Sequence, residues 1–174
     1  SFLSLAGEEV MRMRRSSLRL TAVLLAAMTI LCFIPAAVMA DEYEGLDGRY
    51  KIYIEDDADL LSSDEEESLA ERMKDITAYG GAAFATTSRN PGKTASYAES
   101  FFREKFGRGS GVVFLIDMAN RNIYIFSDGA IYSTITKAKA NTITDNVYKY
   151  ASRGEYYECA AETFREIFTV LEGG

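Results

Sequence analysis

Tyr53-Ile54-Glu55-Asp56-Asp57-Ala58-Asp59-Leu60-Leu61-Ser62 is the stretch on which the fold turns. From Arg49 to Ile54, β-favouring residues alternate with polar ones, which predicts a strand. The chain then meets four acids within five positions (Glu55, Asp56, Asp57 and Asp59). Acids so close repel one another unless they are solvated or gather around a cation or a donor-rich ligand. Ser62-Ser63-Asp64-Glu65-Glu66 follows and offers overlapping capping boxes, Ser62 with Glu65 or Ser63 with Glu66. A helix with Leu69, Met73 and Ile76 on one face should run from there to Gly80-Gly81.

Downstream, Ala82 to Thr87 reads as a second strand, and Ser88 to Gly92 as a loop. Ser96 with Glu99 should open a second helix, carrying Tyr97, Phe101, Phe102 and Phe106 on one stripe. Val112-Val113-Phe114-Leu115-Ile116 is a continuous apolar run, as expected of a central strand covered on both faces. A short turn from Met118 to Arg121 should fold Asn122 to Ser127 back as an antiparallel partner. Helical periodicity returns from about Ile135 to Gly154, and again from Glu155 to Leu171. The order β-α-β-α-β-β-α-α predicts two right-handed β-α-β crossovers. It gives a mixed sheet of about four strands with helices on its faces, an α/β fold.

Before this domain the sequence has the pattern of a leader. Arg12, Arg14, Arg15 and Arg19 precede the apolar run Leu20 to Ile34, and Pro35 to Ala40 supplies small residues for cleavage before Asp41. Met11 or Met13 is the expected start, and the apolar run is short for a spanning helix. A retained signal anchor is the alternative. The expected organisation is a leader over 1–40, a polar linker over 41–49 and one domain over 50–172, outside the cytoplasm.

Composition excludes several functions. Of 19 basic and 26 acidic residues, 15 and 24 fall after residue 40, a net of −9. A nucleic-acid partner is not expected, since phosphate needs a basic face. The chain has no histidine, which removes Ser-His and Cys-His nucleophile pairs and histidine-bearing zinc sites. Cys32 lies in the leader, so Cys159 has no intrachain partner in the expected domain. No phosphate-binding P-loop is present, so no nucleotide is expected.

Parallel strands at 49–54 and 112–116 bring their carboxyl ends to one sheet edge, where ligands of open α/β sheets bind. Asp56, Asp57 and Asp117 fall there, with Arg121 close by as a contact for phosphate or another ligand. Oxygen-only ligands suit calcium, magnesium or manganese. The three aspartates are therefore the metal-site expectation, with helix capping and a solvated acidic loop as the alternative. Asp128 ends the antiparallel strand at the opposite edge and is the weaker candidate. No catalytic residue is assigned.

Four motifs in order resemble the TPM domain family, that of the thylakoid-lumen acid phosphatase linked to photosystem II repair. Asp56-Asp57-Ala58-Asp59-Leu60-Leu61-Ser62 resembles its Asp-x-Ala-x-Leu-Leu-Ser run, and Ser110 to Ile116 its Asn-Gly-Val-Leu-Leu-Leu-Ile strand. Arg121 matches its arginine before the next strand, and Arg153-Gly154-Glu155-Tyr156 is similar to its late Gly-x-Tyr motif. The resemblance implies a three-layer α/β/α sandwich. It implies a divalent cation in an acidic cleft and, in some members, acid phosphatase activity. It also implies bacterial secretion, an envelope or membrane protein as partner, and a membrane tether beyond residue 174. Gly109-Ser110-Gly111 stands where the family often has Asp-Asn-Gly, and Ser127 to Ile131 where it often has Gly-Tyr-Gly-Leu-Glu. The function expected is an extracytoplasmic, cation-binding interaction or assembly module. A weak metal-assisted phosphatase and a metal-free binding domain are the alternatives.

Overall fold

A computed structural model describes residues 41–173. The leader expected over 1–40, with its start, its cleavage site and Cys32, lies outside these residues. The elements run β1 (Asp41–Glu44), β2 (Lys51–Asp56), α1 (Ser63–Met73), β3 (Gly81–Thr87), α2 (Thr94–Phe106), β4 (Gly111–Asp117), β5 (Asn122–Asp128), α3 (Lys137–Ala151) and α4 (Tyr156–Leu171). Short 3₁₀ segments follow α1 and β5, at Lys74–Ala78 and Gly129–Ser133. No helix among the described residues is long and apolar enough to cross a membrane.

The strands lie in sequence order, β1-β2-β3-β4-β5. β2, β3 and β4 are mutually parallel, and β1 and β5 are antiparallel edges. The α/β class holds, with five strands rather than about four. The extra one is β1, formed by the start of the segment expected as a linker. Only Tyr43 of its four residues packs on the core, while Asp41, Glu42 and Glu44 are exposed. One inward residue in four gives no readable period. What holds the strand is its register on β2 and Lys51, which pairs with both Glu42 and Glu44.

The side chains of the sheet divide by parity. Ile52, Ile54, Phe84, Val112, Phe114 and Ile116 face α1, α3 and α4 in the larger core. Ala83, Ala85, Val113 and Leu115 face α2 in the smaller one. The three layers of an α/β/α sandwich follow. The placement corrects the crossover expectation. β2→β3 and β3→β4 step the same way across the sheet, so two right-handed crossovers would put α1 and α2 on one face. They lie on opposite faces, so both crossovers cannot be right-handed. Phe101 and Phe102 of α2 pack over the small Ala83 and Ala85, while on the other face Phe164 of α4 meets Phe114 edge-on.

Local signals hold at α1, where Ser62 forms the capping box with Glu65: the Glu65 amide donates to Ser62 Oγ and the Ser62 amide to Glu65 Oε2. They fail at α2, which starts at Thr94 with Lys93 at the cap and no side-chain cap bond. The reason lies outside the helix, because the Thr94 hydroxyl donates to Asp117 at the end of β4. At the far end of the sheet, Gly129 has φ 76 and its Cα faces the Ser110 backbone, where a Cβ would come within 2.6 Å of Ser110 Cα. Only glycine fits both demands.

Candidate functional site

Asp56, Asp57 and Asp117 do fall at the carboxyl edge of the parallel strands, but they do not converge. In register Asp56 is level with Thr86 and Ile116, whereas Asp117 is level with Thr87. That one-residue offset puts the side chain of Asp56 on the larger-core face and that of Asp117 on the α2 face. β3 also separates them, so their backbones stand about 10 Å apart. Asp57, one residue past the strand, pairs instead with Arg89 at 3.1 Å. No group of three or more acidic or cysteine side chains among the described residues is placed to hold a metal ion.

Each aspartate is engaged otherwise. Asp56 Oδ1 accepts from the Thr86 hydroxyl and Oδ2 from the Leu61 amide at 2.7 Å. Thr86 Oγ1 in turn accepts from the Ala58 amide at 2.9 Å, and the Asp56 carbonyl from the Asp59 amide at 3.0 Å. Asp59 sits in the left-handed region with φ 52. Asp56 is thus the clamp that turns the chain from β2 into α1, and the acidic knot is a shaped loop.

Asp117 is fully buried. Its Oδ2 accepts from Asn90 Nδ2 at 2.7 Å, Asn120 Nδ2 at 2.8 Å and Thr94 Oγ1 at 2.9 Å, and its Oδ1 from the Asn120 amide at 3.1 Å. Burial pushes its pKa up, but the bonds from Asn120, Asn90 and Thr94 outweigh it and hold the carboxyl below its usual range. Asn120 Nδ2 also contacts the carbonyls of Asn90 and Gly92. The network ties the β3–α2 loop to the β4–β5 turn. A divalent cation needs free carboxylate oxygens. Those of Asp56 and Asp117 are already taken by donors, so this donor set as arranged does not fit one. Asp128, at the opposite edge, accepts from the Gly129 amide and pairs with Arg103 at 2.6 Å. Those two contacts, the amide first, hold its pKa down.

Arg121 belongs to a different feature. A cavity of about 410 Å³ opens where the β4–β5 turn meets the end of α3 and the start of α4. Ile116, Met118, Ile123 and Ala151 give it apolar walls, and Arg121, Tyr148, Ser152 and Tyr156 supply polar tips. Tyr148 is 53% exposed. Arg89, Arg103 and Arg153 have carboxylate partners, whereas Arg121, like Arg72 and Arg108, makes no ion pair with a described residue. It also holds φ 49, in the left-handed region where glycine or asparagine is usual.

The sequence reading placed Arg121 near the edge and missed its companions. Tyr148 and Tyr156 flank the short link between α3 and α4, which only the folded chain brings beside the β4–β5 turn. Asn90, Thr94 and Asn120 were missed for a similar reason, although an aspartate that ends a strand just before a tight turn is a readable turn signal.

A protein-family model described as TPM domain matches residues 54–170, more than half of the chain. Among solved structures, the N-terminal domain of a P. gingivalis protein is 19% identical with a TM-score of 0.62, over 69% of this chain and 82% of that one. The N-terminal domain of the cg2496 protein of Corynebacterium glutamicum is 13% identical with a TM-score of 0.56, over 77% and 86%. The BA42 protein of the psychrophilic bacterium Bizionia argentinensis is 13% identical with a TM-score of 0.54, over 64% and 81%. At these identities the likeness is one of fold. No curated protein matches the chain.

Proposed function

The chain belongs to the TPM domain family, and from that membership we propose that it is an extracytoplasmic binding module of the bacterial cell envelope. Its ligand edge is the carboxyl end of the parallel strands, at the cavity beneath Arg121. The observation that carries this reading is a cavity lined by apolar side chains together with Arg121, which makes no ion pair with a described residue, and with Tyr148, Ser152 and Tyr156. Such a mixture of apolar surface with a few placed polar groups is what recognition sites offer. The leader read from the sequence supports export.

The second reading, metal-assisted phosphomonoester hydrolysis, draws on the family resemblance. It calls for a cation with open positions beside a phosphoryl oxygen. The oxygens of Asp56 and Asp117 would first have to exchange their present donors for the ion.

Photo-crosslinking in the envelope of cells exporting the protein tests the first reading. A crosslinking residue at Ser152, on the cavity rim, should yield discrete protein adducts, and one at Ser133, at the far end of the sheet, should not. Equal adducts at both, or none at Ser152, would overturn it. Release of phosphate by the wild type that is lost in Asp56→Ala, without loss of fold, would put hydrolysis first.

A further inference from the structure

The cavity also indicates what kind of ligand it takes, an inference that rests on the binding-module reading above. Arg121 is the one cationic side chain among the lining residues, and the one lining carboxylate, Asp117, already accepts four donors from Asn90, Thr94 and Asn120, so Arg121 is left to balance a single negative charge on a ligand. A guanidinium presents its donors as a planar fork that matches a carboxylate in two parallel bonds. A phosphomonoester would bring up to two charges into the same place, on a chain whose own net charge is −7. A monocarboxylate suits the site better.

The apolar walls require that the acid carry an apolar body. At about 410 Å³ the cavity is near the lower end of the roughly 300–1,000 Å³ usual for small-ligand pockets, room for one large side chain and its carboxylate.

The position of the cavity adds a direction. Arg121 immediately precedes Asn122, the first residue of β5, and β5 is the outer strand of the sheet. Among the described residues no backbone hydrogen bond outside the sheet and helices reaches β5. Its outer row of amides and carbonyls therefore offers a place for one more strand. A peptide ending at Arg121 and lying beside β5 would run antiparallel to it. The left-handed backbone of Arg121 fits this use. An arginine there is disfavoured relative to glycine, a strain that persists where the residue has work to do. The turn beneath it is held by the Asp117–Asn120 bonds, so the guanidinium stem starts from a fixed point.

We propose that the cavity beneath Arg121 receives the C-terminal carboxylate of a polypeptide with an apolar last side chain, its preceding residues extended along the outer edge of β5.

The test uses the full chain and fluorescently labelled hexapeptides ending in Phe, with a free carboxylate or a C-terminal amide, followed by fluorescence polarisation. The free acid should bind, and amidation should weaken it about tenfold or more, as expected when a charge-assisted hydrogen-bond pair is lost. Arg121→Gln should weaken the free acid to the same extent while leaving the amide's affinity unchanged. The amidation arm needs no variant and decides the matter even if Arg121→Gln folds poorly. Equal binding of acid and amide overturns the proposal, and so does the absence of binding by either. N-acetylphenylalanine binding as tightly as the hexapeptide overturns the polypeptide part, because the β5 edge would then contribute nothing. Adducts at Ser152 together with equal binding of acid and amide leave the binding module standing and remove only the carboxylate. Loss of both readouts removes the two readings together.

Discussion

Asp56 and Asp117 end two parallel strands at the same edge of one sheet, with β3 between them. One sits half-buried above a surface loop and receives one amide and one hydroxyl. The other is sealed in the interior and receives four donors from three residues. The same residue type at the same kind of position thus serves a local turn in one corner and a long-range tie in the other. The difference teaches how the edge is built. The Asp117 corner fixes the turn that carries Arg121, and the Asp56 corner fixes the start of α1. Arg121, without an ion-pair partner among the described residues, stands at the cavity beside them.

The largest effect that separates the corners is expected from Asp117→Ala. It strands the donors of Asn90, Thr94 and Asn120, the first two of which are buried. A loss of about 3 kcal/mol or more in urea denaturation follows from unsatisfied buried groups. A loss under about 1 kcal/mol would mean that water enters freely and that the corners are equivalent.

Asp56→Ala should cost less, about 1–2 kcal/mol, because water can reach the freed Leu61 amide and Thr86 hydroxyl. A cost as large as that of Asp117→Ala would erase the contrast.

Acid titration should show the two corners with opposite signs. Asp117 has a lowered pKa, so its contribution is complete above the unfolded value of 3.8 and is lost as pH falls through the folded one. Glu66, beside the acidic loop, has a raised pKa, from burial first and then from Asp56, Asp41 and Asp59. Its charged form therefore costs stability at neutral pH, and that cost disappears as pH falls through its raised pKa toward 4.5. Denaturation midpoints should rise slightly on mild acidification and fall below about pH 4. Glu66→Gln should abolish the rise and leave the fall, and a rise that persists would assign it elsewhere.

The smallest effect is expected at Arg121→Gly. Relief of the left-handed backbone, set against the greater freedom of glycine in the unfolded chain, should leave stability unchanged or raise it by about 0.5 kcal/mol. A thermal melt showing a clear loss would mean that Arg121 supports the fold rather than a ligand.

Much of the fold was legible because its signals are local. The Ser62–Glu65 capping box, the apolar run of β4 and the β4–β5 turn are written in neighbouring residues. β1 was not legible, since a strand with one inward side chain takes its identity from its partner. The start of α2 was misplaced because Thr94 answers to Asp117, 23 residues on. The site was legible only in part. The edge was right and Arg121 was near it, but the three aspartates were grouped by edge alone.

By itself, the sequence determined which segments alternate, which are covered on both faces, where α1 begins and which acids end strands. These follow from periodicity and capping, which act within a few residues. The tertiary structure decided the register of β2 on β3 and of β3 on β4, and with it the face to which each terminal aspartate points. A shift of one residue reverses that face, and nothing within either strand records it. The structure also decided that Arg121, Tyr148 and Tyr156 share one cavity, because packing against a common sheet is what brings the turn and the two helix ends together.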